Sequence, residues 1–199
     1  MKKACWKFGL ALVLLVALMT LGTLVASAAE VTEGYFTYDD HSLVRVDPAI
    51  SGDVVIPSTF NGETITIIEK GAFQGCQNIT SVVIPDGVRY IFSGAFGGCT
   101  GMKSITLPST LDRIYKRAFM SCTALESIVI PESVTDIEYE VFYGCTALKS
   151  VTIHADIARI DELMFAYCTS LTEVIFPADL KSIDDKAFAG CTAPEPSMP

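Results

Sequence analysis

The chain has 199 residues, half of them hydrophobic, and carries 23 acidic against 14 basic side chains, so its net charge at neutral pH is −9. This length suits a single domain. The acidic excess argues against binding to nucleic acid or to an anionic membrane, because both require a basic surface.

Residues 1–28 have the three regions of a secretory signal peptide. Three lysines precede the apolar run Phe8–Val25, and Ala26-Ser27-Ala28 fits the small-x-small cleavage pattern. An uncleaved membrane anchor is the alternative, because the run is near spanning length. Cleavage after Ala28 would remove three lysines and no acid, leaving 11 basic and 23 acidic side chains and a charge of −12. We therefore predict a mature chain without a transmembrane segment that is secreted, either free outside the cell or associated with its surface.

Residues 29–64 do not follow the pattern of the rest of the chain. Two alternating segments, Tyr35–Tyr38 and Leu43–Val46, flank Asp39 and Asp40, which predicts a β-hairpin. The acidic residues here lack the spacing of a calcium-binding loop and are interpreted as solvated turn residues. We interpret residues 29–64 as an N-terminal cap that includes a first, irregular unit.

A strict 23-residue period occupies residues 65–191. Three columns keep one residue type through six units: Phe73, Phe96, Phe119, Phe142, Phe165 and Phe188; Cys76, Cys99, Cys122, Cys145, Cys168 and Cys191; Ile68, Ile91, Ile114, Ile137, Ile160 and Ile183. A fixed period of this length predicts a solenoid in which each unit is one coil of the backbone.

The unit Thr123–Cys145 shows what each coil is predicted to contain. Its Leu-x-x-Ile-x-Ile segment ends in strand spacing, and Pro131 stops the strand because proline lacks an N–H group for the ladder. The segment Glu140–Cys145 then predicts about one turn of helix, from which Gly144 permits an exit with positive φ. Three other units have glycine at the same position: Gly75, Gly98 and Gly190.

The repeat Leu-x-x-Ile-x-Ile-Pro-x-x-Val-x-x-Ile-x-x-x-Ala-Phe-x-x-Cys resembles the BspA-like leucine-rich repeat of bacterial surface proteins over Ile65–Cys191. The departures are small, since Val141 and Met164 replace alanine and His154 replaces proline. The resemblance implies an α/β leucine-rich-repeat solenoid dominated by β-structure. Its short parallel strands would line the concave face, and short helical turns would form the return path. The resemblance also implies adhesion to proteins of a host or of neighbouring cells.

The six repeat cysteines are the main candidates for chemistry. Equivalent residues of neighbouring coils lie about 4.7–4.9 Å apart with parallel Cβ directions, whereas a disulfide prefers Cβ atoms about 3.8 Å apart. We therefore predict buried, reduced thiols, with disulfides as the alternative in a secreted chain. No Cys-x-x-Cys pair suggests zinc, and the two histidines, His41 and His154, lie outside the cysteine column. The chain is predicted to be no enzyme and to use neither a cofactor nor a metal.

The outward positions of the strands are the candidate binding residues. Two columns face outward: Ser81, Ser104, Ser127, Ser150 and Glu173, and Val83, Thr106, Val129, Thr152 and Ile175. The concave sheet of a solenoid is the usual binding surface of repeat proteins. We therefore predict a binding module with a protein partner, and the alternative is an ordinary sheet face without a ligand.

Residues 192–199 contain three prolines and predict an extended, disordered exit from the last coil. No capping motif is recognisable there, so the edge of the last coil is a candidate for end-to-end self-association. A structural or assembly role at the cell surface, without a soluble ligand, is therefore the alternative to adhesion.

Overall fold

Each 23-residue repeat forms one coil of a β-solenoid, and equivalent residues of successive coils lie side by side. A computed structural model describes residues 34–192. Ser127 pairs with Ser150 and Val129 with Thr152, in a parallel register that equals the sequence period. The predicted signal peptide and the tail from residue 193 onward lie outside the described residues.

Each coil contributes a longer and a shorter strand, and these form two faces. The strands are β1 Phe36–Asp39, β2 Ser42–Val46, β3 Ser51–Val55, β4 Thr59–Phe60, β5 Glu63–Thr64, β6 Ile67–Ile68, β7 Asn78–Val83, β8 Tyr90–Ile91, β9 Ser104–Thr106, β10 Arg113–Ile114, β11 Ser127–Ile130, β12 Asp136–Ile137, β13 Ser150–Ile153, β14 Arg159–Ile160, β15 Glu173–Ile175 and β16 Ser182–Ile183. We call the surface of β3, β7, β9, β11, β13 and β15 the long-strand face, and that of β6, β8, β10, β12, β14 and β16 the short-strand face.

The strand pairing confirms a parallel solenoid. On the long-strand face the order is β3-β7-β9 and then β11-β13-β15, and all of these pairs are parallel. The short strands follow in the order β1-β2-β6-β8-β10-β12, with β14 paired to β16. Two pairs are antiparallel hairpins, the predicted β1–β2 hairpin and a second one, β4–β5, that was not predicted.

The predicted short helical turns are wrong, because the return path consists of turns and residues 34–192 contain no helix, hence none that could cross a membrane. In the fourth coil, the N–H groups of Glu140, Phe142 and Gly144 donate to carbonyl groups of the next coil. Those of Tyr143 and Cys145 close tight turns with the carbonyl three residues earlier. Glu140 and Gly144 also have positive φ angles of 58° and 72°. A helix needs consecutive N–H groups that donate to carbonyl groups of the same segment, and residues in the right-handed α region. In Glu140–Cys145, alternate N–H groups donate to the next coil and two residues have positive φ, so no helix forms.

The repeated phenylalanines form a continuous stack through the core. From Phe73 to Phe188, adjacent ring centroids lie between 4.5 and 5.5 Å apart. All six rings are at most 5% exposed. Because each interior ring contacts one ring above and one below, the aromatic surface that a coil cannot bury alone is buried by its neighbours.

The cysteine column lies beside this stack. The Sγ atoms of Cys99, Cys122, Cys145 and Cys168 each donate to the carbonyl oxygen of a phenylalanine 26 residues earlier, at 3.1–3.5 Å. Burial raises the pKa of the Cys145 thiol from 9.0 to about 12, and that of Cys76 to about 11. These side chains are therefore protonated hydrogen-bond donors and poor nucleophiles at neutral pH.

Residues 34–64 pack against the first coil. Leu43 and Val46 of β2 belong to the core, and β2 pairs in parallel with β6. Tyr38 of β1 stacks on Phe60 of β4, with ring centroids 4.4 Å apart, and so joins the two hairpins. This packing joins residues 34–64 to the core of the repeat array, and the role of the segment as an N-terminal cap stays a prediction.

We predict that Phe119→Ala lowers the free energy of unfolding by about 3–5 kcal/mol, the usual cost of deleting a buried aromatic ring. Phe119 is fully buried between Phe96 and Phe142, whose ring centroids are 5.4 and 5.5 Å away. The measurement is urea unfolding, with the partly exposed Tyr139→Ala as control, for which a loss within about 1 kcal/mol is expected. A loss below about 1 kcal/mol for Phe119→Ala would contradict the stacked core.

The buried thiols predict a loss of stability at high pH. The folded pKa of Cys145, about 12, lies above its unfolded value of 9.0, so its stabilising contribution is complete below pH 9 and disappears as the pH rises through 12. Between these limits one such thiol adds up to about 1.4 kcal/mol per pH unit to the decline in the free energy of unfolding. The free energy of unfolding of Cys145→Ala should therefore decrease less steeply between pH 9 and pH 12 than that of the natural chain. Equal slopes for both proteins would show that folding does not protect this thiol from deprotonation.

Candidate binding surface

The long-strand face places alternate residues in the core and in solvent, as the strand period requires. In β11, Ile128 and Ile130 are buried, whereas Ser127 and Val129 are exposed. Pairing between coils aligns each outward residue with its counterpart, so Ser127 lies beside Ser150 and Val129 beside Thr152. The result is a set of straight outward columns along the solenoid axis.

All ten predicted binding residues lie on this outward surface. Ser81, Ser150 and Thr152 are half-buried, and the other seven are exposed: Val83, Ser104, Thr106, Ser127, Val129, Glu173 and Ile175. Residues 34–192 expose eight large hydrophobic side chains, and four of them share one column: Val55, Val83, Val129 and Ile175. Since single exposed hydrophobic residues are normal, it is their alignment that marks this surface.

Sequence reasoning missed the first member of each column. Asp53 and Val55 of β3 pair with Ser81 and Val83 of β7, and so extend the columns to the first coil. The signal was present in the sequence, because Val54-Val55-Ile56-Pro57 has the same pattern as Val82-Val83-Ile84-Pro85. The pattern indicates the first, irregular unit, but an irregular loop separates this unit from the strict period, and the binding columns were not extended across that loop.

Charges lie at the ends and along one side of the surface. The Asp53 carboxylate accepts hydrogen bonds from Ser81 Oγ at 2.6 Å and Thr80 Oγ1 at 2.7 Å. These bonds lower the pKa of Asp53. Along the side, Lys149 Nζ and Glu126 Oε2 form an ion pair at 2.9 Å. The middle of the face is therefore uncharged and presents methyl and hydroxyl groups.

This arrangement offers contacts but no reactive group. Among residues 34–192, no cluster of His, Cys, Asp and Glu side chains could hold a metal ion. His41 is exposed in the N-terminal segment, where its Nδ1 lies 3.0 Å from the carbonyl oxygen of Thr64. His154 is exposed at the end of β13, whereas the cysteines of neighbouring coils, such as Cys145, are buried. The groups that this surface presents are methyl and hydroxyl groups, which make van der Waals contacts and weak hydrogen bonds.

The comparisons with known proteins agree with this architecture. The profile of a known family, described as the BspA type leucine rich repeat region, matches residues 66–194 in six copies. None of the curated proteins matches the chain.

Several solved structures share the fold. A leucine rich cell surface protein of Faecalibacterium prausnitzii is 30% identical, with a TM-score of 0.69 over 81% of this chain and 46% of its own. A leucine rich repeat protein of T. pallidum is 26% identical, with a TM-score of 0.60 over 77% of this chain and 85% of its own. A leucine-rich repeat protein of Bacteroides capillosus is 30% identical, with a TM-score of 0.53 over 62% of this chain and 96% of its own.

The chain thus spans about half the length of the F. prausnitzii protein that it matches. The matched repeats coincide with the coils; all six contain a buried phenylalanine, and the cysteine is buried in the first five and partly buried in the sixth. The chain therefore belongs to the family of BspA-type leucine-rich repeat proteins.

Proposed function

We propose that this chain is a secreted or surface-associated binding module whose long-strand face attaches to proteins of a host or of neighbouring cells. The observation that carries the proposal is the aligned column of exposed β-branched residues, which includes Val83, Val129 and Ile175. Aliphatic side chains with few rotamers, held on a rigid sheet, lose little entropy when a partner covers them.

The location rests on two further observations. Residues 1–28 have the pattern of a secretory signal peptide, and one of the related solved structures is described as a leucine rich cell surface protein. The acidic charge suits a protein partner and disfavours nucleic acid. No catalytic role is proposed, because the buried thiols and the separated histidines provide no activated nucleophile.

End-to-end assembly is the second candidate. Val174 and Ile183 in the coil 169–191 are only partly buried, whereas their counterparts Val151 and Ile160 are almost completely buried. A second copy that packed on this coil would cover these side chains and pair with the edge of β15. A sedimentation coefficient that rises with protein concentration would support assembly over adhesion.

We predict that replacing Thr106, Val129 and Thr152 together by lysine weakens attachment about tenfold or more, because it adds bulk, charge and desolvation cost at the centre of the contact. The fold should persist, since these side chains face outward. The measurement is binding of the labelled chain to a panel of epithelial and bacterial cells by flow cytometry. Removal of cell-surface proteins by protease should abolish the signal.

A matched control replaces three exposed threonines of another column, Thr123, Thr146 and Thr169, by lysine. Both variants add three positive charges at β-branched positions, but the control also removes the hydroxyl bonds of its threonines to carbonyl groups of the preceding coil. Circular dichroism of both variants therefore verifies that each is folded before attachment is compared. The proposal is supported if the control variant still attaches to the cells and the long-strand variant does not. Equal attachment of both variants, or no attachment of the natural chain to any cell of the panel, contradicts it.

A further inference from the structure

A cleft lies on a different side of the solenoid, where the return-path turns of the first three coils meet. Its volume is about 420 Å³, and its lining includes Lys70, Gly94, Gly97, Gly98, Arg117 and Met120. The second coil contributes mostly glycine, whereas the third contributes long side chains at the equivalent positions. The cleft therefore lies between the second coil, whose lining residues are mostly glycine, and the third coil, whose Arg117 and Met120 have long side chains.

Crowding does not force glycine at two of the three glycine positions of the second coil in this cleft, Gly94 and Gly98, whereas a Cβ atom at Gly97 would lie 3.2 Å from the carbonyl oxygen of Gly94. Gly94 has φ 63°, and its counterparts Arg117, Glu140 and Leu163 have φ between 57° and 61°. The same backbone therefore accepts other residues. A Cβ atom added at Gly94 or Gly98 would contact nothing within 4 Å. What the glycines provide is open space next to Arg117.

Two basic side chains, Lys70 and Arg117, line the cleft in a chain that is acidic overall. Lys70 is exposed, and no carboxylate among residues 34–192 forms an ion pair with it. The Arg117 guanidinium pairs with Glu140 but keeps about half of its side-chain surface exposed. The net charge of the chain is −9, so a local excess of positive charge favours an anionic group at this place.

An aromatic surface continues from the wall of the cleft. The N–H groups of Arg117 and Ser121 donate to the carbonyl groups of Tyr139 and Tyr143, at 3.3 and 2.8 Å. Tyr143 in turn contacts Tyr167 edge to face, with centroids 5.2 Å apart. Tyr139 and Tyr167 are 39% and 50% exposed. Tyrosine and arginine are enriched among the residues that dominate the binding energy of protein interfaces, and methionine is enriched in interface composition.

We propose that the cleft and the neighbouring tyrosines form a second binding surface, which takes an extended acidic peptide segment of a partner protein. The coils of Lys70 and Arg117 are two spacings apart, about 10 Å, which is the room that one extended chain with its side chains occupies. A carboxylate of the segment lies between the two cations. A neighbouring apolar side chain packs on Met120 and the tyrosines. This surface is separate from the long-strand face and does not depend on the function proposed for that face.

The test uses the full chain and a synthetic peptide of three Glu-Gly-Leu repeats, followed by amide chemical shifts at low ionic strength. The expected result is a set of shifts at Gly94, Gly97 and Gly98 that saturates with peptide. The corresponding Lys-Gly-Leu peptide should cause none. A peptide-induced change spread over the whole molecule, or no change at all, would overturn the proposal.

Two variants make the test specific. Gly94→Leu copies the residue of the fifth coil, Leu163, and fills the cleft. Lys70→Ala removes the cation that forms no ion pair within residues 34–192. Each should weaken peptide binding about tenfold, a loss equivalent to about 1.4 kcal/mol. The matched controls are Gly52→Leu, at a positive-φ glycine of β3 that also has open space, and Lys103→Ala, at an exposed lysine beside β9. The expected result is also that both control variants bind the peptide with the affinity of the natural chain. A Gly94→Leu variant that binds the peptide as tightly as the natural chain would overturn the proposal.

A final arm distinguishes a peptide from an acidic sugar. Trigalacturonate carries the same carboxylate groups on rigid rings and is titrated in the same way. If it produces the shifts and loses them in Gly94→Leu while the peptide does not bind, the cleft is a site for acidic glycans, and the peptide proposal is wrong.

Discussion

The structure depends on a single constraint, which is that each of the six repeat coils contains 23 residues, so that hydrogen bonds and side-chain stacking stay in the same register. The parallel pairing of Ser127 with Ser150 and the stacking of Phe119 on Phe142 both require the 23-residue step. An insertion within a strand or between core positions would shift one column against all the others, whereas the β4–β5 hairpin lies outside the columns and leaves the pairing of β3 with β7 intact. Because a coil has too few inward side chains to fold alone, this register is also what makes the array cooperative.

The period and the residue types were sufficient to predict the parts of the fold that every coil repeats. The phenylalanine and cysteine columns, the parallel strands and the positive φ of Gly144 follow from steric and hydrogen-bonding rules that hold within one unit. The return path could not be predicted in this way. A six-residue segment such as Glu140–Cys145 has the composition of a helical turn, and only the neighbouring coil decides where its N–H groups donate.

The unpredicted features are those that depend on single coils. The β4–β5 hairpin was missed although Asn61-Gly62 is a strong signal for a two-residue turn. The outward columns were predicted from strand alternation, but their extension to Val55 lay beyond the irregular loop. The cleft beside Arg117 arises because one coil has glycine where the next has long side chains, and no periodic pattern records such a difference. Core positions and the outward columns are therefore predictable from the repeat, whereas the cleft depends on departures from it.

The most direct test of the account is deletion of one whole coil, residues 123–145. This deletion joins Cys122 to Thr146 and leaves every column in register, so the account predicts a shorter β-rich protein that still unfolds cooperatively. The comparison is deletion of residues 124–145, which removes one residue fewer and shifts all later columns by one position. Circular dichroism and thermal unfolding of both variants decide the matter. A folded, equally stable product from the second deletion, or an unfolded product from the first, would contradict the claim that register between coils holds this protein together.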